Sequence, residues 1–228
     1  MKKITFTAII KMLIFVVLFP FLPIIISHKY FWIEAWTCGL ISVLSFAISR
    51  IIIAKKNPDL IAERAKFMQH QDAKPWDKIL APLVGFGGVI IPVTAGLDAF
   101  YSYNVLFSLS VKIIALAVFL LGMIFSSYAV IQNRFFSGMV RIQTDRGHKV
   151  VSVGPYRIIR HPGYAGALIT YWVSPLIFDS YWTFLPVAFM TVILVIRTCL
   201  EDKTLVQELD GYKEYTLETK YRLIPGLW

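Results

Sequence analysis

Charged side chains are scarce in this chain: they make up 16% of its 228 residues, while hydrophobic residues make up 57%. A soluble domain holds about a quarter charged residues, so the composition excludes an ordinary soluble enzyme and calls for an integral membrane protein. Cysteine is nearly missing too. Cys38 and Cys199 fall in segments expected near opposite faces of a bilayer, which excludes a disulfide, and neither has metal-ligating neighbours. Both are expected to be packing residues, and no metal site is expected. No alternating succession of strands and helices runs through the sequence, which removes the soluble nucleotide-binding folds. Internal repeats and low-complexity tracts are absent as well, which leaves a single membrane domain over residues 1–228.

What the chain has is long apolar runs. Backbone amides in hydrocarbon must be paired within a helix, and about 20 residues cross the core. About six segments meet that test, near residues 4–27, 32–54, 79–97, 105–131, 164–180 and 181–200. The expected fold is therefore all-α, a polytopic membrane helical bundle. Its fifth and sixth segments, parted by Pro175 and Asp179-Ser180, are the weakest and are expected to form a tight helical hairpin. The basic start "MKKITF" has the head of a secretory signal, but the long apolar run behind it lacks a small-residue cleavage site and reads as a retained first span. Only Lys29 and Lys112 fall on the expected outer side, so both termini are expected in the cytoplasm. That asymmetry accounts for the net charge of +9 through topology and attraction to membrane lipids, with no need of nucleic acid.

Three cytoplasmic pieces are long enough to fold. In "KKNPDLIAERAKFMQHQDAKPWDK", Asn57 suits a helix cap, Pro58 the first helical position and Asp59 the positive end of the dipole. Leu60, Ile61, Arg64, Ala65 and Met68 then recur at helical spacing, which predicts a short helix on the membrane surface; a plain positive loop is the alternative. The second piece, from Gln132 to Gly163, contains "HKVVSVGPY", which alternates like an extended strand and turns at Gly154-Pro155. Pro162 forces His161 out of helical geometry at the start of the next helix. In the third piece Leu205, Leu209, Tyr212 and Thr216 share one stripe, so the last apolar helix is expected to continue as a C-terminal cytoplasmic amphipathic helix folded back over the loop. The closing "YRLIPGLW" offers aromatic anchors for an interface. "GFGGVIIP" is not a phosphate loop: no strand precedes it, and Gly85, Gly87 and Gly88 in an apolar span serve close helix contact.

Arg197 and Glu201 lie four residues apart, on one helical face at the edge of the sixth segment. Taken singly they make an ordinary ion pair, His161 a cap and Tyr156 and Tyr164 interfacial aromatics. Taken together, a polar loop and a carboxylate on helices that pack side by side must meet in a pocket of donors, acceptor and aromatic faces at the bilayer edge.

"GPYRIIRHPGYAG", followed by "RTCLED" and the ending "GYKEY…YRLIPGLW", resembles the isoprenylcysteine carboxyl methyltransferase group and its phospholipid methyltransferase relatives, from about Arg141 onward. The resemblance implies an integral membrane enzyme dependent on S-adenosylmethionine, bacterial in type and lodged in the inner membrane. Residues 1–131 would supply N-terminal spans and 132–228 the cofactor-binding catalytic half, with the active site facing the cytoplasm. It implies that His148, Lys149, Val150 and Val151 line the cofactor, that Tyr156 approaches it, and that Arg160, His161, Pro162, Gly163 and Tyr164 wrap it. Glu201 would hold one of its polar groups with Asp202 beside it, and Arg197 would face the acceptor, a lipophilic small molecule or a lipidated chain. The family's acidic pair is commonly Glu-Glu, whereas here it is Glu201-Asp202, which leaves the second carboxylate's role open. A membrane reductase of the sterol type using NADPH, a phospholipid amine methyltransferase and a non-enzymatic lipid-binding scaffold are the rival readings.

Overall fold

Helices and loops alone make up the described residues, 16–102 and 105–228, of the computed structural model; no strand occurs among them. After a short turn at Phe19–Phe21 come α1 (Leu22–Ser27), α2 (Ile33–Lys56), α3 (Pro58–Ala65), α4 (Asp77–Gly87), α5 (Ile90–Tyr101), α6 (Leu109–Gln132), α7 (Pro162–Ile177), α8 (Phe184–Glu208) and α9 (Tyr212–Glu218). Four stretches are long and apolar enough to cross a bilayer: Ile33–Lys56, Asp77–Tyr101, Leu109–Gln132 and Phe184–Glu208. The chain is thus an all-helical integral membrane protein. Of the first expected span, residues 4–15 lie outside the described residues. The fifth is α7, whose 16 residues reach about 24 Å, short of a hydrocarbon core of ~30 Å.

Local chemistry sets these helix ends. Glu34 in the first turn of α2 and Lys55 and Lys56 in its last complement the helix dipole. Ser108 caps α6 by accepting from the backbone N–H of Val111. Pro58 does open α3, but Asn57 makes no side-chain cap; its amide donates to the Ile131 carbonyl at 3.2 Å and ties α3 to the end of α6. The helix stops at Ala65, short of Met68, which sits in a left-handed turn. The stretch Asp77–Tyr101 is two helices, parted at Gly88 and Val89.

Close glycine contacts decide which helices lie together. A Cβ on Gly87 would stand 2.7 Å from the Met190 sulfur, and one on Gly88 3.0 Å from the Tyr171 hydroxyl, which is the service expected of glycines in that span. The tightest seam joins α6 and α7. There a Cβ on Gly166 would fall 2.7 Å from the Ser126 nitrogen and 2.8 Å from the Gly122 carbonyl oxygen. That seam presses the start of α7 against the end of α6, and with the end of α8 these form the basic end of the bundle. α7 packs far more along α6 than against α8, so the expected α7–α8 hairpin is loose.

At the opposite end a core of Ile24, Trp32, Ala35, Cys38, Ala95, Ala99, Ala115, Phe119, Ile177 and Phe178 closes the bundle. Cys38 packs there as expected, whereas Cys199 is exposed. Lys112 is no free outer charge: it is buried, 3.0 Å from Glu34 and in contact with Asp179. Asp179 also accepts from the backbone N–H groups of Leu106 and Phe107, so one carboxylate fastens the α5–α6 loop to the α7–α8 loop.

Because the atoms facing Gly166 are backbone, they yield little. Gly166→Ala should lower stability by roughly 1–3 kcal/mol through overpacking, read as a lower thermal midpoint in mild detergent; an unchanged midpoint would show that the seam is slack.

Candidate functional site

The connector from Asn133 to His161 crosses the basic end, and its backbone is set by few residues. Gly147 and Gly154 take positive φ of 61° and 58°, and Pro155 follows in a tight turn, Gly154–Arg157. "HKVVSV" forms no strand; of its residues Val153, just before the turn, is extended. Among the described residues nothing hydrogen-bonds the backbone N–H groups of Lys149, Val150 or Val151. His161 takes the N-cap position of α7 with Pro162 at its first turn, as the sequence predicts.

This connector, the start of α7 and the end of α8 line a cavity of about 80 Å³ that opens to the surface. His148, Lys149, Val150, Val151, Tyr156, Arg160, His161, Gly163, Tyr164, Arg197 and Glu201 all line it. Pro162 and Asp202 do not.

Tyr164 is the junction of the wall. Its hydroxyl donates to Glu201 Oε2 at 2.6 Å and accepts from Arg197 Nη1 at 2.5 Å. Glu201 Oε1 makes no hydrogen bond among the described residues. The Tyr164 ring lies parallel to the His161 ring, centroids 5.8 Å apart. Asp202, the next residue after Glu201, points elsewhere. It accepts from Arg160 at 2.8 and 2.9 Å, from His161 Nε2 at 3.2 Å, from the Tyr212 hydroxyl at 3.0 Å and from Arg222 at 2.9 Å. A carboxylate so surrounded only accepts, which fixes the His161 proton on Nε2.

The C-terminal segment is sewn to the connector as well. Arg160 and His161 donate their backbone N–H groups to Tyr221 and Arg222, and the Tyr215 hydroxyl donates to the Tyr156 carbonyl at 2.6 Å. The expected continuous stripe is broken: α8 stops at Glu208, Gly211 turns with φ 78°, and α9 starts afresh. The turn lets Leu209, Tyr212 and Tyr215 pack together on Ile142, Val150 and Leu205. Leu223 and Trp228 of the closing "YRLIPGLW" join Ile159 and Ala165 in a cluster rather than standing free as anchors.

Arg197 lines the cavity with its fork already engaged. Nε and Nη2 reach the two oxygens of Asp77 at 2.7 and 3.0 Å, and Nη2 also donates to the Gly138 carbonyl. Asp77 is fully buried and accepts the Val140 backbone N–H too. Sequence reasoning missed this partner because it comes from the first basic connection, 120 residues away. The signal was present: a carboxylate at the start of one apolar run demands a cation at the end of another. That connection supplies more. Glu63, buried, takes Arg141 at 3.0 and 3.1 Å; Asp59 takes Arg146 at 2.6 Å; Lys74 meets Glu208 at 2.5 Å. The 57–76 segment contributes no residue to the cavity lining but braces the connector that does, and α3 is pinned to that connector through Asp59 and Glu63.

His148 accepts the Gln143 backbone N–H on Nδ1 at 3.3 Å and stacks near Phe135, centroids 4.7 Å apart. Burial, with the Arg141 and Arg146 charges, lowers its pKa to about 4.

Residues 111–210 match the family model described as phospholipid methyltransferase. Over 60 residues, 26% of this chain and 31% of the relative, the sequence is 37% identical to a protein of Oryza sativa subsp. japonica named probable protein-S-isoprenylcysteine O-methyltransferase. Over 55 residues, 24% of this chain and 28% of the relative, it is 40% identical to protein-S-isoprenylcysteine O-methyltransferase B of Arabidopsis thaliana. The chain thus spans less than a third of the length of these curated relatives. The resemblance carried by the motifs is found again in these matches.

Two outcomes test the geometry. Asp77→Asn leaves the buried Arg197 charge without its carboxylate and should cost about 3–5 kcal/mol; the double variant Asp77→Asn with Arg197→Met should regain a large part in thermal unfolding. His148 has a folded pKa below its ordinary value, so folding excludes a proton that the unfolded chain accepts. Stability should therefore fall as pH drops from 6.5 toward about 4, and His148→Asn should flatten that interval of the unfolding profile.

Proposed function

We propose that the protein is an integral membrane methyltransferase that takes S-adenosylmethionine as donor and methylates a lipophilic acceptor, with the site on the cytoplasmic side of the membrane. The observation that carries this reading is the meeting of connector and α8 in one cavity, where Tyr164 joins Glu201 and Arg197.

The residues present fit such a donor. Lys149, Val150 and Val151 line the cavity and their backbone N–H groups have no partner among the described residues, so those that face the cavity can donate to a ligand, and Glu201 Oε1 offers an acceptor for an ammonium or a ribose hydroxyl. Tyr164, His161 and Phe136 set aromatic faces on the wall, which attract a cationic sulfur. Bound there, the donor would supply an electrophilic methyl group. The protein's own task is then alignment and exclusion of water, worth as much as ~7–11 kcal/mol when near-attack geometry is held. Tyr164 keeps its proton directed at Glu201, so the carboxylate is oriented and no base is created at the cavity's centre. Arg197 acts as a positioning residue: with Asp77 on its fork, it presents one Nη1–H to the Tyr164 hydroxyl.

The loop's charge balance argues against a reductase holding NADPH phosphates. Arg141, Arg146 and Arg160 are each engaged by carboxylates of the protein, which leaves Lys149 and Arg157 as the loop's cations without a carboxylate among the described residues, two charges for the several phosphates of such a cofactor.

Purified protein in mild detergent should bind S-adenosylmethionine in calorimetry. Glu201→Ala should weaken that binding by about tenfold or more, the loss of one charge-assisted contact. Failure of the wild type to bind the donor, or a thermal shift with NADPH instead, would end this reading.

A further inference from the structure

Arg197 stands where the resemblance puts the residue that faces the acceptor, yet nearly all of its donors are engaged inside the protein. A guanidinium carries five N–H groups. In Arg197, Nε–H and one Nη2–H go to the two oxygens of Asp77, the other Nη2–H to the Gly138 carbonyl, and one Nη1–H to the Tyr164 hydroxyl. A single Nη1–H remains, too little for the two-point grip by which a guanidinium recognises a carboxylate. The other arginines of the cavity wall are in the same condition. The donors of Arg141 meet Glu63, Asp72 and Asp145. Arg160 gives two N–H groups to Asp202 and two to the carbonyls of Thr219 and Lys220. Lys149 also lines the cavity without a carboxylate among the described residues, but it is exposed.

Charge points the same way. Asp77 is fully buried and does not line the cavity, so its pair with Arg197 is closed within the protein. On the cavity side of the Tyr164 junction stands Glu201, whose Oε1 makes no hydrogen bond among the described residues. A carboxylate arriving at Tyr164 would meet a neutralised arginine and a facing carboxylate, and like charges repel most where water is scarce. Asp77 itself lies outside the half of the chain that carries the resemblance.

We propose that Asp77 is a specificity-determining residue, an internal carboxylate that fills the Arg197 fork and so keeps the site from recognising its acceptor by a carboxylate. This rests on the methyltransferase reading. The place where an acid would dock is closed by the protein itself, and the acceptor's head is held there by single hydrogen bonds. Removing the Asp77 charge uncovers a guanidinium in the cavity wall and turns the site into one that selects acids.

The test uses full-length protein in phosphatidylcholine nanodiscs. Acetate and acetamide at matched ionic strength are scored by the thermal midpoint, oleate and oleamide by binding, and S-adenosylmethionine affinity is measured separately. Wild type should gain nothing from acetate over acetamide and should bind oleate and oleamide equally. In Asp77→Ala, acetate should enter the emptied fork and raise the midpoint where acetamide does not, and oleate should bind about tenfold or more tighter than oleamide. Asp77→Asn, which leaves no hole, should gain the same preference for oleate, and Asp77→Glu, which keeps the fork filled, should behave as wild type. An acetate-dependent rise or an oleate preference in wild type overturns the proposal, as do folded Ala and Asn variants that remain indifferent to acetate and to the oleate charge. If neither variant folds, the wild-type comparison decides alone; if neither lipid binds, the acetate comparison decides. Failure of wild type to bind S-adenosylmethionine ends the methyltransferase reading instead, a result distinct from the acid-to-amide ratio.

Discussion

A charge at the edge of a hydrocarbon slab must be answered where it stands, because water is too scarce to answer it. Asp202 shows what that rule builds. Its carboxylate accepts from Arg160 and His161 of the connector, from Tyr212 of α9 and from Arg222 of the tail. Three segments far apart in the chain thus converge on one side chain, 2% exposed, at the end of α8. Fixing Arg160 and His161 fixes the entry to α7, and the entry to α7 places Tyr164. The cavity owes its shape to a residue that does not line it.

Neighbouring carboxylates with different duties follow from helix geometry. Successive residues on a helix diverge by about 100°, so Glu201 and Asp202 cannot face the same way. Glu201 meets Tyr164 on the cavity wall, and Asp202 meets the connector and the tail behind it. Asp77 plays the matching part on the other flank: it neutralises Arg197, holds the Val140 backbone and leaves one guanidinium N–H for Tyr164. Both flanks therefore hand Tyr164 a fixed environment, and neither uses a group that must gain or lose a proton for methyl transfer. A hydrogen-bonded wall without a base suits a reaction in which alignment supplies most of the advantage.

How much of this was legible depends on the range of the interaction. Apolar runs, helix ends at Pro58 and Pro162, the turn at Gly154-Pro155 and the pairing of the connector with Glu201 rest on local pattern and on adjacency of helices, and the sequence carries them. The break at Gly211 was visible only as a glycine inside a plausible stripe, and the stripe was the stronger signal. Salt bridges from Asp59, Glu63 and Asp77 to Arg146, Arg141 and Arg197 span 78 to 120 residues. No periodicity links such partners; only the requirement that each buried charge be matched points to them, and it does not say which cation answers which anion. Lys112 illustrates the same gap at the opposite end. A lone lysine beside an apolar run reads as a topology signal, yet it bridges Glu34 and Asp179 in the interior.

Charge matching also explains why the first basic connection folds against the site instead of drifting on a surface. It carries Asp59, Glu63, Asp72 and Asp77, and the connector carries Arg134, Arg141 and Arg146. Each element alone would expose unpaired charge near lipid, and together they close their accounts in contacts of 2.6 to 3.1 Å. The Glu63 and Arg141 side chains are 2% and 4% exposed, so separating them would strand both ions.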